Sequence, residues 1–339
     1  MRHSTLFLTQ RSERQQQSAL AAAPTELDIT LRRDPSRAEI LRLLPQMEFL
    51  ISERAGVIDA EMIAAGKKLK LIQRLGSQTC DIDLDAARRA SLPVCYLPLA
   101  TCQLVAEHIV LQMLATAKRV RELMQVVADA GDWGVPPRRC TEDYYAGNWS
   151  HRENIRGLRK STVGIVGFGE IGGELARRLR SFDCMILYNK RTRLPVNAEA
   201  ELDITYATQN NLLARSDFVC SLLPLFPETE QSVNTNFFAA MKRGAIFVHC
   251  GAGAVVDEIA LIDVLRSGKL AGAALDTYTY EPMRPDDPLL ELARDPMQNL
   301  MLTPSIAAGT LTMSGHPRAG DYANIVAMLE GKPLEYRLA

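Results

Sequence analysis

No stretch of this chain approaches the ~18 to 20 consecutive apolar residues that a helix needs to span a bilayer, so a helical membrane protein is not expected. Net charge is nearly absent: 39 Lys and Arg against 40 Asp and Glu leave -1 over 339 residues. Without a basic or acidic excess there is no electrostatic footprint for nucleic acid or for an anionic membrane surface. Cysteine is sparse and irregular. The seven residues are odd in number and form no CxxC pair, which argues against a disulfide framework and for reduced thiols in a cytoplasmic protein. Cys95 and Cys102 lack the spacing of zinc ligands and the five histidines are scattered, so no metal is expected. The N-terminal "TLFL" is too short for a secretion-signal core and is followed by no small-residue cleavage pattern; it reads as a first strand.

What is present is the composition of a globular protein: 47% hydrophobic residues, 23% charged, and a mean hydropathy of -0.06. The length accommodates two domains, each with a sizeable core. A small-molecule function is the expectation.

The first hundred residues alternate β-like runs ("LFL", "LDITL", "EFLIS", "KLIQRL", "LPVCYL") with helical segments, the pattern of βα units around a parallel sheet. A helical stretch from Leu104 to Gly131 has apolar residues at three- and four-residue spacing, and the domain crossing is placed on it. A loop rich in Pro, Gly, Tyr and Trp runs to about Gly157. From Thr162 a second βα series follows, with strands predicted at "TVGIVG", "MILYN", "DFVCSL", "AIFVHC", "GAALD" and "LMLT". A last helix is predicted from Pro317 to Glu330, stopped by Gly331. If it returns to the first domain, the second is an insertion. The fold class is therefore α/β, two doubly wound parallel-sheet domains: a Rossmann dinucleotide-binding domain over 109–306, inserted in a flavodoxin-like substrate domain over 1–108 and 307–339.

The strongest motif is "TVGIVGFGEIGGELARRL", in which Gly167, Phe168, Gly169, Glu170, Ile171 and Gly172 join a strand to a helix. Gly167 permits the tight turn, Gly169 lets a pyrophosphate approach the backbone, and Gly172 lets helix and strand pack closely. The phosphates then sit at the positive end of the helix. The following strand ends in Asn189 and Lys190, with Arg191 and Arg193 beyond, where an acid would bind the ribose 2'-hydroxyl of NAD. That basic cluster favours the 2'-phosphate of NADP(H) over NAD(H).

With its glycine loop in the middle of the chain, the sequence resembles the D-isomer-specific 2-hydroxyacid dehydrogenase family over nearly its whole length. The likeness rests on "VAEHIVLQML", "LLPLFPETEQSVN", "MKRGAIFVHCGAGAVVDEIALIDVLRSGKLAGAALDTYTYEP" and "NLMLTPSIAAGT", in the family's order and spacing. The resemblance implies that Asp276 holds the nicotinamide carboxamide, that Pro224 and Thr229 shape the loop near the cofactor, and that Cys250, Gly251 and Ala252 lie beside it. It also implies a catalytic trio of arginine, glutamate and histidine. The arginine position in "HCGAGAVVD" is Ala252, the glutamate is present as Glu281, and the histidine position after "LTP" is Ser305. Gln78 replaces a glycine of the substrate loop, and Thr101 and His249 depart from the usual residues as well. Cofactor-side residues are kept while substrate-side residues change.

The expectation is an NAD(P)(H)-dependent oxidoreductase with a rebuilt substrate site and little ordinary 2-keto acid reductase activity, using NADP in preference to NAD. Glu281 or His249 would handle the proton, with Ser305 nearby. His316 and Arg318 are candidate stand-ins for the missing acid and carboxylate anchor, His108 a candidate substrate contact and Cys250 a candidate nucleophile. Two other readings are a redox-neutral lyase-type enzyme using bound NADP as a transient oxidant and an inactive NADP(H)-sensing pseudoenzyme. The implied partners are a small-molecule substrate and a second copy of the chain in a homodimer, for which the loop of Trp133, Tyr144, Tyr145 and Trp149 is suited.

Overall fold

The computed structural model describes residues 2–53, 56–309 and 318–339. The chain divides into two compact units, Met1–Ala100 with Leu311–Ala339, and Thr101–Thr310. In the first unit the order is β1 (His3–Thr9), α1 (Glu13–Ala21), β2 (Leu27–Arg33), α2 (Arg37–Leu43), β3 (Phe49–Glu53), α3 (Ala60–Ala65), β4 (Leu71–Leu75), α4 (Leu84–Arg89) and β5 (Val94–Leu97). The second unit holds α5 (Ala100–Ala117), α6 (Val120–Ala128), β6 (Thr162–Val166), α7 (Glu170–Leu179), β7 (Met185–Asn189), α8 (Val196–Leu202), β8 (Thr205–Tyr206), α9 (Gln209–Arg215) and β9 (Phe218–Ser221). It continues through α10 (Thr235–Ala240), β10 (Ile246–His249), α11 (Glu258–Arg266), β11 (Gly272–Leu275), α12 (Pro288–Arg294) and β12 (Leu300–Leu302), and α13 (Ala323–Leu329) returns to the first unit.

Both sheets are parallel. The first runs β2-β1-β3-β4-β5, the flavodoxin-like order; the second runs β12-β11-β10-β9-β6-β7-β8, the dinucleotide-fold order with an added edge strand. Parallel strands are covered on both faces and read as continuous apolar runs. In the first unit Leu6, Leu8, Leu50, Ile72 and Val94 fill one face, while Phe7, Phe49, Ile51 and Leu71 fill the other with Tyr322 and Ile325 from the C-terminal segment. The core of the second unit includes Val166, Leu187, Val219, Phe247 and Leu275. In this order the direction of winding reverses between β6 and β9, where ligand crevices form beyond the strands' C-terminal ends.

Three boundaries differ from the predicted ones. The stretch from Leu104 to Gly131 is two helices, because Arg119 takes a left-handed conformation (φ 52°) as the N-cap of α6, with its side chain on Glu122. The division between units falls at the start of α5, at Ala100 and Thr101, rather than at 108/109; α5 packs by Asn299 and Thr303 with the second sheet, through Thr116, Gln112 and His108. The last helix is split into a 3-10 turn over Ala319–Tyr322 and α13, while its predicted start, Pro317, lies outside the described residues.

Candidate active site

The glycine loop is built as its chemistry requires. Gly167 has φ +88°, and a Cβ there would lie 2.8 Å from the backbone between Leu222 and Leu223 at the neighbouring strand end. A side chain at this position is excluded twice, by conformation and by contact. Gly169 is the N-cap of α7, and nothing lies within 4 Å of where its Cβ would be. This is the open space over a helix N-terminus that a pyrophosphate needs. Gly172 sits beneath the Phe168 ring, 3.1 Å from a virtual Cβ. Phe168 is buried against Tyr188, with ring centroids 4.9 Å apart, so it contributes packing and backbone to the site. Glu170 and Ile171 form the first turn of α7 and are half-buried. The Asn189 carbonyl clamps the loop from the next strand, accepting from Gly167 N at 3.1 Å and Phe168 N at 3.3 Å.

The basic cluster after β7 is more constrained than its sequence implies. Asn189 donates its amide to the Ala207 carbonyl at 2.9 Å. Arg193 makes a bidentate pair with Glu199 at 2.8 and 2.7 Å, and Tyr188 donates its hydroxyl to the same carboxylate at 2.6 Å. The Arg193 pair and the Tyr188 hydrogen bond hold the Glu199 carboxyl below its ordinary value, against the opposing effect of burial. Arg193 is therefore engaged by an acid of its own chain, and the expectation that it pairs with a 2'-phosphate needs that pair to open. Arg191 is exposed and lies over the Phe226 ring at 5.6 Å, and Lys190 is half-buried. The turn holding Phe226 is fastened by Thr229, whose hydroxyl donates to the Pro224 carbonyl at 2.7 Å and accepts from Phe226 N at 2.8 Å.

The glycine-rich loop after β10 borders an open depression of about 350 Å³, lined by Leu225, Ala252, Thr277, Tyr278, Thr279 and Glu281 among others. Ala252 donates its N–H to the Leu223 carbonyl at 2.9 Å, and Gly251 and Gly253 have no room for a side chain. At Gly253 a Cβ would collide with the Tyr278 backbone. Glu281 is exposed and accepts from Tyr278 N at 3.1 Å. Ser305 is also exposed, with φ +54° and its N–H donated to the Thr303 carbonyl at 3.0 Å.

Several candidate residues are not placed as expected. His249 is fully buried, donating through Nε2 to the Ala252 carbonyl at 3.2 Å. Burial pushes its pKa down to about 4, so the ring is neutral at physiological pH and closed to a substrate. A carbonyl accepts only, so Nε2 is the nitrogen that donates in this contact. Cys250 is buried too, donating to Gln112 Oε1 at 3.3 Å, and burial raises its thiol well above the ordinary range, which removes it as a nucleophile. Arg318 is held by Glu53 at 3.1 Å and Asp321 at 2.6 Å within the first unit, and so serves that unit's interior instead of anchoring a carboxylate. His316 lies outside the described residues.

A polar network below the depression escaped sequence reasoning. Asp276, 2% exposed, accepts from the Thr303 hydroxyl at 2.6 Å, Ile306 N at 3.1 Å and Ala307 N at 2.8 Å, with His108 Nε2 at 3.5 Å. Gln112 donates to Thr303 Oγ1 at 3.3 Å and accepts from Cys250. Asp276 thus anchors the Thr303–Ala307 loop, with both carboxylate oxygens engaged. His108 and Gln112, four residues apart on α5, share the face that meets this network. The signal in the sequence was a glutamine inside the apolar run "HIVLQML".

Among the described residues no helix is long and apolar enough to cross a membrane, and no group of His, Cys, Asp or Glu is arranged to hold a metal ion. Comparison with known proteins adds to the geometry. The family model described as "D-isomer specific 2-hydroxyacid dehydrogenase, NAD binding domain" matches residues 110–307. The chain is 31% identical over 310 residues to D-3-phosphoglycerate dehydrogenase of Archaeoglobus fulgidus, covering 91% of this chain and 54% of that protein. It is 34% identical over 276 residues to glyoxylate/hydroxypyruvate reductase B of Escherichia coli, covering 81% and 79%. The chain spans about half the length of the first of these relatives. A solved structure from Pyrococcus horikoshii matches with a TM-score of 0.56 at 26% identity, over 100% of this chain and 95% of its own.

Proposed function

Since the chain belongs to the D-isomer-specific 2-hydroxyacid dehydrogenase family, we propose that it is an NAD(P)(H)-dependent oxidoreductase whose substrate site has been rebuilt, with little ordinary 2-keto acid reductase activity. The observation that carries this reading is the pairing of an open glycine cradle at Gly169 with a depression whose arginine position is Ala252. When bound, the dinucleotide supplies or accepts a hydride. The chain's part is to receive the pyrophosphate on the first turn of α7, with Gly167 and Gly172 keeping the turn tight. Lys190 and Arg191 favour NADP over NAD, and opening of the Arg193–Glu199 pair strengthens that preference. Pro224 and Thr229 hold the neighbouring turn, and Cys250, Gly251 and Ala252 form the floor beside the cofactor. Glu281 is the ionisable carboxylate at the depression and takes the proton-handling role; His249 is buried and Ser305 is no acid near neutral pH.

Loss of a positioned general acid costs about 10²- to 10⁴-fold in rate. Loss of an arginine's charge-assisted hydrogen bonds costs about 1.5 to 3 kcal/mol more. Slow reduction of 2-keto acids follows. A homodimer is part of the proposal: Val120, Met124 and Val127 expose an apolar face of α6, and Tyr145 is 81% exposed in the aromatic loop where Trp133 and Trp149 stack edge-on. The test is a calorimetric titration with NADPH and NADH, followed by nicotinamide absorbance against glyoxylate, pyruvate and hydroxypyruvate. Dinucleotide binding with weak 2-keto acid turnover is expected; absence of binding by either dinucleotide, or efficient 2-keto acid reduction, overturns the reading.

A further inference from the structure

The charge of the depression points to a class of substrate, an inference that rests on the function proposed above. Among the described residues that line it Glu281 is the one charged side chain, and the others offer backbone, methyl groups and hydroxyls. The Tyr278 hydroxyl is already used, donating to the Leu275 and Thr303 carbonyls at 3.1 and 2.8 Å, and burial keeps it protonated. A second carboxylate lies just behind: Glu258 Oε1 accepts from Thr279 N at 2.8 Å. The neighbouring cation, Arg284, has its guanidinium over the Tyr280 ring at 3.6 Å. Of the histidines at this end of the sheet, His249 is buried and neutral and His108 is held on Thr303.

Among the described residues, an anionic substrate entering this depression meets a carboxylate and no lining cation, and a neutral carbonyl meets no lining histidine. A cationic electrophile avoids both difficulties. Its own charge activates the carbon, it requires no proton from the protein, and it is attracted by Glu281. We propose that the depression takes a small molecule whose reacting carbon is bonded to a cationic nitrogen, an iminium or the corresponding ammonium, held by the Glu281 carboxylate. The balance closes: the C=N⁺ carbon gains a hydride, one proton with two electrons, the π pair moves to the nitrogen, which keeps its substituents and becomes a neutral amine, and the reductant is the reduced nicotinamide dinucleotide, which leaves oxidised.

The test is calorimetric binding to the whole chain, with and without saturating NADP⁺, using pyrrolidinium as the cationic probe and pyruvate as the anionic one. Saturable pyrrolidinium binding is expected, with pyruvate weaker by at least about tenfold. Glu281→Gln keeps the oxygen that accepts from Tyr278 N and removes the charge, and should weaken pyrrolidinium roughly 10- to 100-fold, the worth of a charge-assisted hydrogen bond. A melting temperature equal to that of the parent checks that the variant is folded. Glu281→Asp, which restores a charge, should recover part of the binding. The proposal is overturned if pyruvate binds as well as pyrrolidinium, if the glutamine variant binds pyrrolidinium unchanged, or if neither probe binds while NADP⁺ does. That last outcome leaves the oxidoreductase reading intact, whereas failure of NADP⁺ and NADPH to bind removes both.

Discussion

Acidification should destabilise the second unit through one side chain. His249 is completely buried, and its pKa of about 4 lies some 2.5 units below the ordinary 6.5. The sign follows from proton counting. Below pH 6.5 the unfolded chain binds a proton at this residue, and the folded chain does not until about pH 4, so stability falls as pH drops through that window and is flat above pH 7. At 1.36 kcal/mol per unit, the full loss is about 3 kcal/mol, with about 2.5 kcal/mol of it gone by pH 4.5. Other groups titrate in the same range. Asp321, raised to about 6 by burial against the lowering effect of Arg318, works in the opposite sense, because the folded first unit takes up its proton early. The informative quantity is therefore the difference between the parent chain and His249→Asn. Urea unfolding followed by far-UV circular dichroism at pH 7.5, 6.5, 5.5 and 4.5 measures it. The two curves should converge by about 2.5 kcal/mol across that range; parallel curves would show that Nδ1 reaches solvent and would refute the closed site described for His249.

Three further outcomes are expected. Gly167→Ala meets both a positive φ and the Leu222–Leu223 backbone, and should cost about 1 to 3 kcal/mol in thermal unfolding, whereas Gly169→Ala, with open space at its Cβ, should melt like the parent yet bind NADPH at least about tenfold more weakly by calorimetry. Glu199→Gln releases Arg193 from its bidentate partner; the ratio of NADH to NADPH dissociation constants should shift roughly tenfold towards NADPH, and an unchanged ratio would show that Arg193 lies away from the ribose. Thr303→Val strips partners from Asp276, Gln112 and His108 together, and should lower stability by about 1 to 3 kcal/mol in urea titration.

The parts of the protein that could be read from its sequence are those whose causes are local. The parallel strands announce themselves as continuous apolar runs, and the turn at Gly167 is specified by residues on either side of it. Sequence spacing also located Ala252 at the depression, because the residues that line it fall mainly in two short runs, Gly251 to Ala254 and Thr277 to Glu281, each just after a strand end. What stayed hidden depends on distant partners. Arg193 reads as an available cation until α8 brings Glu199 onto it, and Arg318 until β3 brings Glu53. His249 looked well placed at a strand end, but strand ends say nothing about the loop folded over them, and here Gly251 lies against the ring with the Leu223 backbone packed on Gly251. His108 and Thr303 are 195 positions apart and meet through the packing of α5 against the second sheet.

The C-terminal segment has a consequence for how the chain is made. Tyr322 is wholly enclosed in the first unit, its hydroxyl on the Ala19 carbonyl at 2.7 Å, and Tyr96 N donates to the Tyr336 carbonyl at 3.1 Å beside β5. During synthesis the first hundred residues therefore leave the ribosome without the piece that completes their interior, and must wait while the whole inserted unit is translated. The inserted unit, continuous in sequence, is free to fold first. The enclosing unit, although begun earlier, is the last to finish, and its half-built sheet is the species most exposed to chaperones and to aggregation.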